Sequence, residues 1–150
     1  MLKRKIHSLI PGILLTLATA SAHVVVLPRT AAAGATVHYT MRVPTEKNVA
    51  TVRLEAEFPS AAEITSVEEK DGWKIELKKD PSGKIIGATW SGSSIAPHDI
   101  AEFGISARNP NQETDLVWKV VQVYEDGNRS EWTGPKGSRT PTSVTHLQPQ

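Results

Sequence analysis

Alternation with a period of two is the feature that most constrains this chain. Val52, Leu54, Ala56 and Phe58 share one side of a run whose other side is Arg53, Glu55 and Glu57, and Trp73, Ile75 and Leu77 alternate in the same way with Lys74, Glu76 and Lys78. Successive side chains of a strand point to opposite faces, so each run has one face to bury and one to leave in water. Further strands are predicted over 23–27, 35–43, 63–69, 84–91, 101–108 and 116–125. Turn signals at Pro44, Asp71-Gly72, Pro81-Ser82-Gly83, Pro97-His98-Asp99 and Asn109-Pro110 separate them. Asp126-Gly127 is a tight-turn pair and predicts a hairpin that folds 122–125 back against 129–132. No helical period competes. About eight or nine short strands at this spacing predict an all-β fold, an antiparallel β-sandwich of immunoglobulin-like character.

The first 22 residues do not share the pattern. Lys3, Arg4 and Lys5 precede an apolar stretch from Ile6 to Leu17, and Ala20-Ser21-Ala22 supplies the small-residue exit of a secretory signal peptide. The stretch is too short to span a bilayer, and nothing later is apolar for long enough. The chain is therefore expected to be exported, secreted or periplasmic, with residues 1–22 removed. Removal takes three of the 17 basic residues and none of the 16 acidic ones, leaving a net charge of about −2. No basic patch suited to phosphates survives, so nucleic acid is not expected as a partner. The chain contains no cysteine, which excludes disulfides, thiolate ligands, lipoprotein attachment and a Cys nucleophile. Residues 23–134 are read as a single sandwich domain. Residues 135–150 are rich in Gly, Pro, Ser, Thr and Gln, and are read as a flexible polar tail.

Cleavage behind Ala22 would make His23 the first residue. A terminal histidine offers its α-amine and ring Nδ1 to one metal ion in a six-membered chelate, the core of a histidine brace. Cu(II) heads the divalent affinity order and accepts a square set of N and O donors, so that pair supplies half a plane. An anionic donor should complete it. Glu102 is a candidate because Ala101, Phe103, Ile105 and Ala107 form the inward set of its strand and leave it on the other face; on the same pattern it is also an ordinary solvated carboxylate. Trp132, after the predicted hairpin turn, reads either as a lid over one end of the core or as a neighbour of the metal. His98, in a turn four residues before Glu102, is the best source of a second imidazole. His38 reads as an exposed strand histidine and His146 as a solvated tail histidine, while Trp73, Trp90 and Trp118 read as core. Phosphate loops, nucleophile elbows and zinc-type histidine pairs are absent.

The ordered set Ala22-His23-Val24, Ala33-Gly34, Tyr39, Arg42-Val43-Pro44, Gly72-Trp73, Glu102-Phe103, Ala107-Arg108-Asn109-Pro110, Trp118, Gln122, Tyr124, Asp126-Gly127 and Glu131-Trp132-Thr133-Gly134 resembles the bacterial YcnI-like domain. That family was long catalogued as a domain of unknown function and is recognised as a copper-binding module. The resemblance implies an immunoglobulin-like sandwich and a mono-histidine brace for Cu(II), with His23, Glu102 and Trp132 at the metal and Glu131 or Asp99 as alternatives to the glutamate. Many relatives carry a C-terminal anchor or a fused copper domain and sit beside copper importers; the polar tail leads us to expect no membrane tether here. The expected function is envelope copper trafficking or homeostasis, with a copper ion and other copper-trafficking proteins as partners and no enzymatic activity. The alternatives are a copper-dependent redox enzyme and a metal-independent immunoglobulin-like interaction module.

Overall fold

A computed structural model describes residues 22–150, so the expected signal peptide lies, apart from Ala22, outside the described residues. Strands follow in the order β1 (Val25–Leu27), β2 (Thr30–Ala32), β3 (Thr36–Pro44), β4 (Thr51–Glu57), β5 (Glu63–Val67), β6 (Lys74–Lys79), β7 (Ile85–Ser91), β8 (Ile100–Arg108), β9 (Asp115–Tyr124), β10 (Arg129–Trp132) and β11 (Ser143–Gln148). They form two sheets. One has the order β1-β3-β8-β5, and the other β2-β11-β9-β4-β7-β6 with β10 also paired to β9. Among the named strands every pairing is antiparallel except that of β2 with β11.

The alternation in the sequence becomes the packing between the sheets. Tyr39, Met41 and Val43 of β3 and Phe103, Ile105 and Ala107 of β8 face Leu54, Trp90, Leu116, Trp118 and Val120. Trp118 packs against Tyr39, with ring centroids 4.9 Å apart and planes tilted by 52°, and donates its indole N–H to Thr145 Oγ1 at 3.1 Å. Trp73 and Trp90 flank Phe103 at 5.3 and 5.5 Å. Such aromatic pairs add about 0.5–1.5 kcal/mol each beyond the area they bury.

Three details depart from the sequence expectation. Leu77 is 43% exposed because β6 is the sheet edge and pairs only with β7. A register shift between Thr51 and Arg53 turns Thr51 fully inward and leaves Val52 half-buried. The third departure is a correction: residues 135–150 are not a flexible tail, for they carry β11. This strand pairs with the first half of β9, Ser143 opposite Trp118 and His146 opposite Asp115, and runs parallel to β2. Its inward residues are Ser143, Thr145 and Leu147. Two of the three are polar, so no apolar alternation announces the strand. Thr145 is accommodated because its hydroxyl accepts from Trp118 and donates to the Pro28 carbonyl at 3.0 Å. The hairpin forms as expected, with Gln122 opposite Ser130 and Val120 opposite Trp132. Gly127 has a φ of 83°, which a residue without Cβ adopts freely. Asp126 accepts from the backbone and side-chain nitrogens of Asn128, hydrogen bonds that hold its carboxyl below the usual range.

Candidate metal centre

His23 stands two residues before β1. Inward-facing Val24 and Val26 fix the strand's face, and pairing of Val25 with Arg42 fixes its register on β3. The Val26 N–H also donates to Ser143 Oγ at 2.8 Å, which ties β1 to the opposite sheet. His23 therefore emerges at the seam between the sheets, beside the end of β3. Its ring packs on the indole of Trp132, with centroids 5.4 Å apart and planes inclined by 54°. Trp132 is 8% exposed, so it closes one end of the core and neighbours His23 at once.

An open cleft of about 370 Å³ lies at His23. Its walls include Val25, Arg42, Pro44, Thr45, Glu46, His98, Asp99 and Ile100. Two imidazoles, one of them that of His23, and two carboxylates thus share one cavity. Two loops bring them there. The Thr45 N–H donates to the Asp99 carbonyl at 2.9 Å, and the His98 N–H donates to the Thr45 carbonyl at 2.7 Å. The His98 ring nitrogen Nε2 pairs with Asn48 Oδ1 at 3.0 Å. These bonds hold His98 at a φ of 64°, a left-handed conformation that costs a residue with a Cβ about 1–3 kcal/mol and is concentrated at functional sites.

Beneath the cleft lies a buried polar chain. The Trp132 indole donates to Gln122 Oε1 at 3.0 Å, and Gln122 Nε2 donates to the Pro44 carbonyl at 2.9 Å and to Thr51 Oγ1 at 2.7 Å. Thr51 Oγ1 lies 2.7 Å from Thr45 Oγ1. Tyr124, at the end of the same strand as Gln122, is pushed above the usual phenol range. Burial is the main cause, opposed by its hydrogen bond with Ser130, and the negative charges of Glu46 and Asp126 add to the rise.

His23, His98 and Asp99 line one cleft and Trp132 packs beside His23, whereas Glu102 is not among the cleft walls. Glu102 sits on the outer face of β8, opposite Arg42 in register, with its Oε1 3.9 Å from Arg42 Nε and both side chains well exposed. Such a contact contributes little. Glu131 is exposed, 4.0 Å from Arg129, while its neighbour Trp132 turns inward. His38 pairs with Glu68 at 2.8 Å. His146 pairs with Asp115 at 2.6 Å and lines, with His23, a second cavity of about 530 Å³. Glu46, which the sequence did not bring forward, also lines the cleft. It lies in the loop two residues past the end of β3, outside any periodic run. Among the described residues, no group of three or more His, Cys, Asp or Glu side chains is gathered closely enough to hold a metal ion.

Two sheets packed face to face in this way define an immunoglobulin-like β-sandwich. A solved protein from Nocardia farcinica, described as having an immunoglobulin-like fold, superimposes with a TM-score of 0.74 over 85% of this chain and 99% of that one, at 24% identity. A cohesin module from a Clostridium perfringens family 33 glycoside hydrolase follows with a TM-score of 0.57, covering 86% and 98% at 13% identity. These likenesses establish the fold. The family model described as Domain of unknown function (DUF1775) matches residues 23–149. Copper-binding protein CutI of Bacillus subtilis (strain 168) is 36% identical over 153 residues, covering 98% of this chain and 74% of that protein. The chain belongs to the DUF1775 family, the YcnI-like domains.

Proposed function

We propose that this protein is an exported copper carrier that holds Cu(II) at His23 in a mono-histidine brace. The observation that carries the reading is the position of His23: it is where the family match begins, its ring rests on Trp132, and it shares a cleft with two carboxylates. Among the described residues no group of three or more His, Cys, Asp or Glu side chains is gathered at one point, and an α-amine on His23 would add a strong nitrogen donor to the side chains that line the cleft. Cleavage behind Ala22 would release that amine. With Nδ1 of the same residue it closes the chelate, and the carboxylate of Glu46 supplies the anionic ligand from the neighbouring loop, with Asp99 and Glu102 as the alternatives. Trp132 shields the metal and does not ligate it, because an indole N–H has no lone pair to give and is already committed to Gln122. A 36% identical relative named for copper binding supports the metal assignment. Copper here is cargo, captured and handed on within the envelope.

His98 in the same cleft favours a second reading, a two-histidine copper centre with redox activity. Peroxide consumption by the copper-loaded protein separates the two readings, the carrier being inert.

The primary test compares protein beginning at His23 with protein that retains Ala22. The first is expected to bind one Cu(II) per chain, and the second much more weakly because its amine is acylated. Equal affinities in calorimetric titration would remove the brace.

A further inference from the structure

Gln122 is the residue the apolar core explains least. It lies fully buried on the inward row of β9, between Val120 and Tyr124 and in line with Trp118. A buried amide is costly unless its donors and acceptor are all paired. Here all are paired, and the chemistry of the partners fixes the amide's orientation. The indole of Trp132 can only donate, so it must face Oε1; the Pro44 carbonyl can only accept, so it must face Nε2. The second amide hydrogen goes to Thr51 Oγ1. These partners come from β10, from the end of β3 in the other sheet, and from β4. Thr51 in turn reaches Thr45, the residue before Glu46.

We propose that Gln122 is a positioning residue of the copper centre. It touches no metal. It locks the Trp132 indole, against which His23 rests, to the 44–46 segment that carries Glu46, and so sets the gap across which the two ligands face each other. The inference rests on the copper reading above. A purely structural role would make the amide a tie between the sheets, and an unbranched apolar side chain would then cost stability while leaving the site of the folded protein unchanged.

Gln122→Met, in protein beginning at His23, keeps the length of the side chain and removes the three hydrogen bonds. In folded variant, Cu(II) affinity is expected to fall about tenfold or more, the range seen when groups that orient metal ligands are lost. The electron paramagnetic resonance spectrum of bound Cu(II) should change. In metal-free protein the ring protons of His23 should shift, because the Trp132 ring current acts on them from 5.4 Å. Thr51→Val should weaken binding, and Thr51→Ser, which keeps the hydroxyl, should restore it. Folded Gln122→Met with unchanged affinity and spectrum would overturn the proposal. If that variant does not fold, equal binding by Thr51→Val and Thr51→Ser overturns it instead. Wild-type protein that fails to bind Cu(II) would sink the copper reading itself, an outcome distinct from normal binding by both wild type and Gln122→Met, which sinks only the role of Gln122.

Discussion

Glu46 and Glu102 are two candidates for the anionic ligand of the proposed site. Glu102 is the carboxylate that strand alternation brings forward, yet it stands beyond Arg42 on the outer face of β8, whereas Glu46 lines the cleft at His23. Glu46→Gln is therefore expected to weaken Cu(II) binding by roughly an order of magnitude or more, since a neutral amide donates poorly to the metal, and Glu102→Gln is expected to leave it nearly unchanged. Isothermal titration of both variants, with circular dichroism to confirm folding, checks the pair; the reverse order returns the ligand to Glu102. At Trp132 the expected effect is optical. Cu(II), with an open shell, should quench the indole emission, and Zn(II), with a filled one, should quench far less. Trp132→Phe should keep most of the affinity and lose much of the quenching. Persistent quenching in that variant would assign the signal to Trp73, Trp90 or Trp118 and move the site away from the hairpin. The contact between His23 and Trp132 lies between two boundary signals of the sequence, the expected cleavage site behind Ala22 and the tight turn at Asp126-Gly127. The place of Glu46 in the cleft was not legible, because nothing periodic marks a loop residue whose position is set by the strand end before it.

At the scale of the element, β11 is the clearest test of what holds the sandwich closed. Leu147 is 2% exposed and belongs to the main core cluster. Leu147→Ala is expected to destabilise the domain by about 2–5 kcal/mol, the range for truncating a buried leucine, as measured by urea unfolding; a cost near zero would mean that β11 does not contribute to the fold. The nine other strands of ordinary signal were readable because their inward positions are mostly apolar. β11 was not, because Ser143 and Thr145 occupy inward positions that only their hydrogen-bond partners make tenable, and Thr30–Ala32 is too short to show a period. The same physics explains the Thr51 irregularity. A register shift cannot be seen in an alternating pattern until the partner strand is known.

For the whole molecule, Cu(II) that binds the folded state alone must raise its stability. Free metal at about a hundredfold above Kd adds about 2.7 kcal/mol, a rise on the order of 10 °C in Tm for a domain of this size. Scanning calorimetry should show that rise in protein beginning at His23 and not in protein that retains Ala22; equal shifts would place the copper elsewhere. The course of β11 has a further consequence. The strand starts at Ser143, bonded to Val26 close to His23, and ends at Gln148, paired with Ala32. At roughly 3.3 Å per residue it carries the chain some 17 Å away from the cleft. Polypeptide joined after Gln150 therefore leaves from the far end of the sandwich. A sensor surface coupled there would present the His23 mouth outward to solution, whereas coupling through the amino terminus would consume the α-amine proposed to seize the ion.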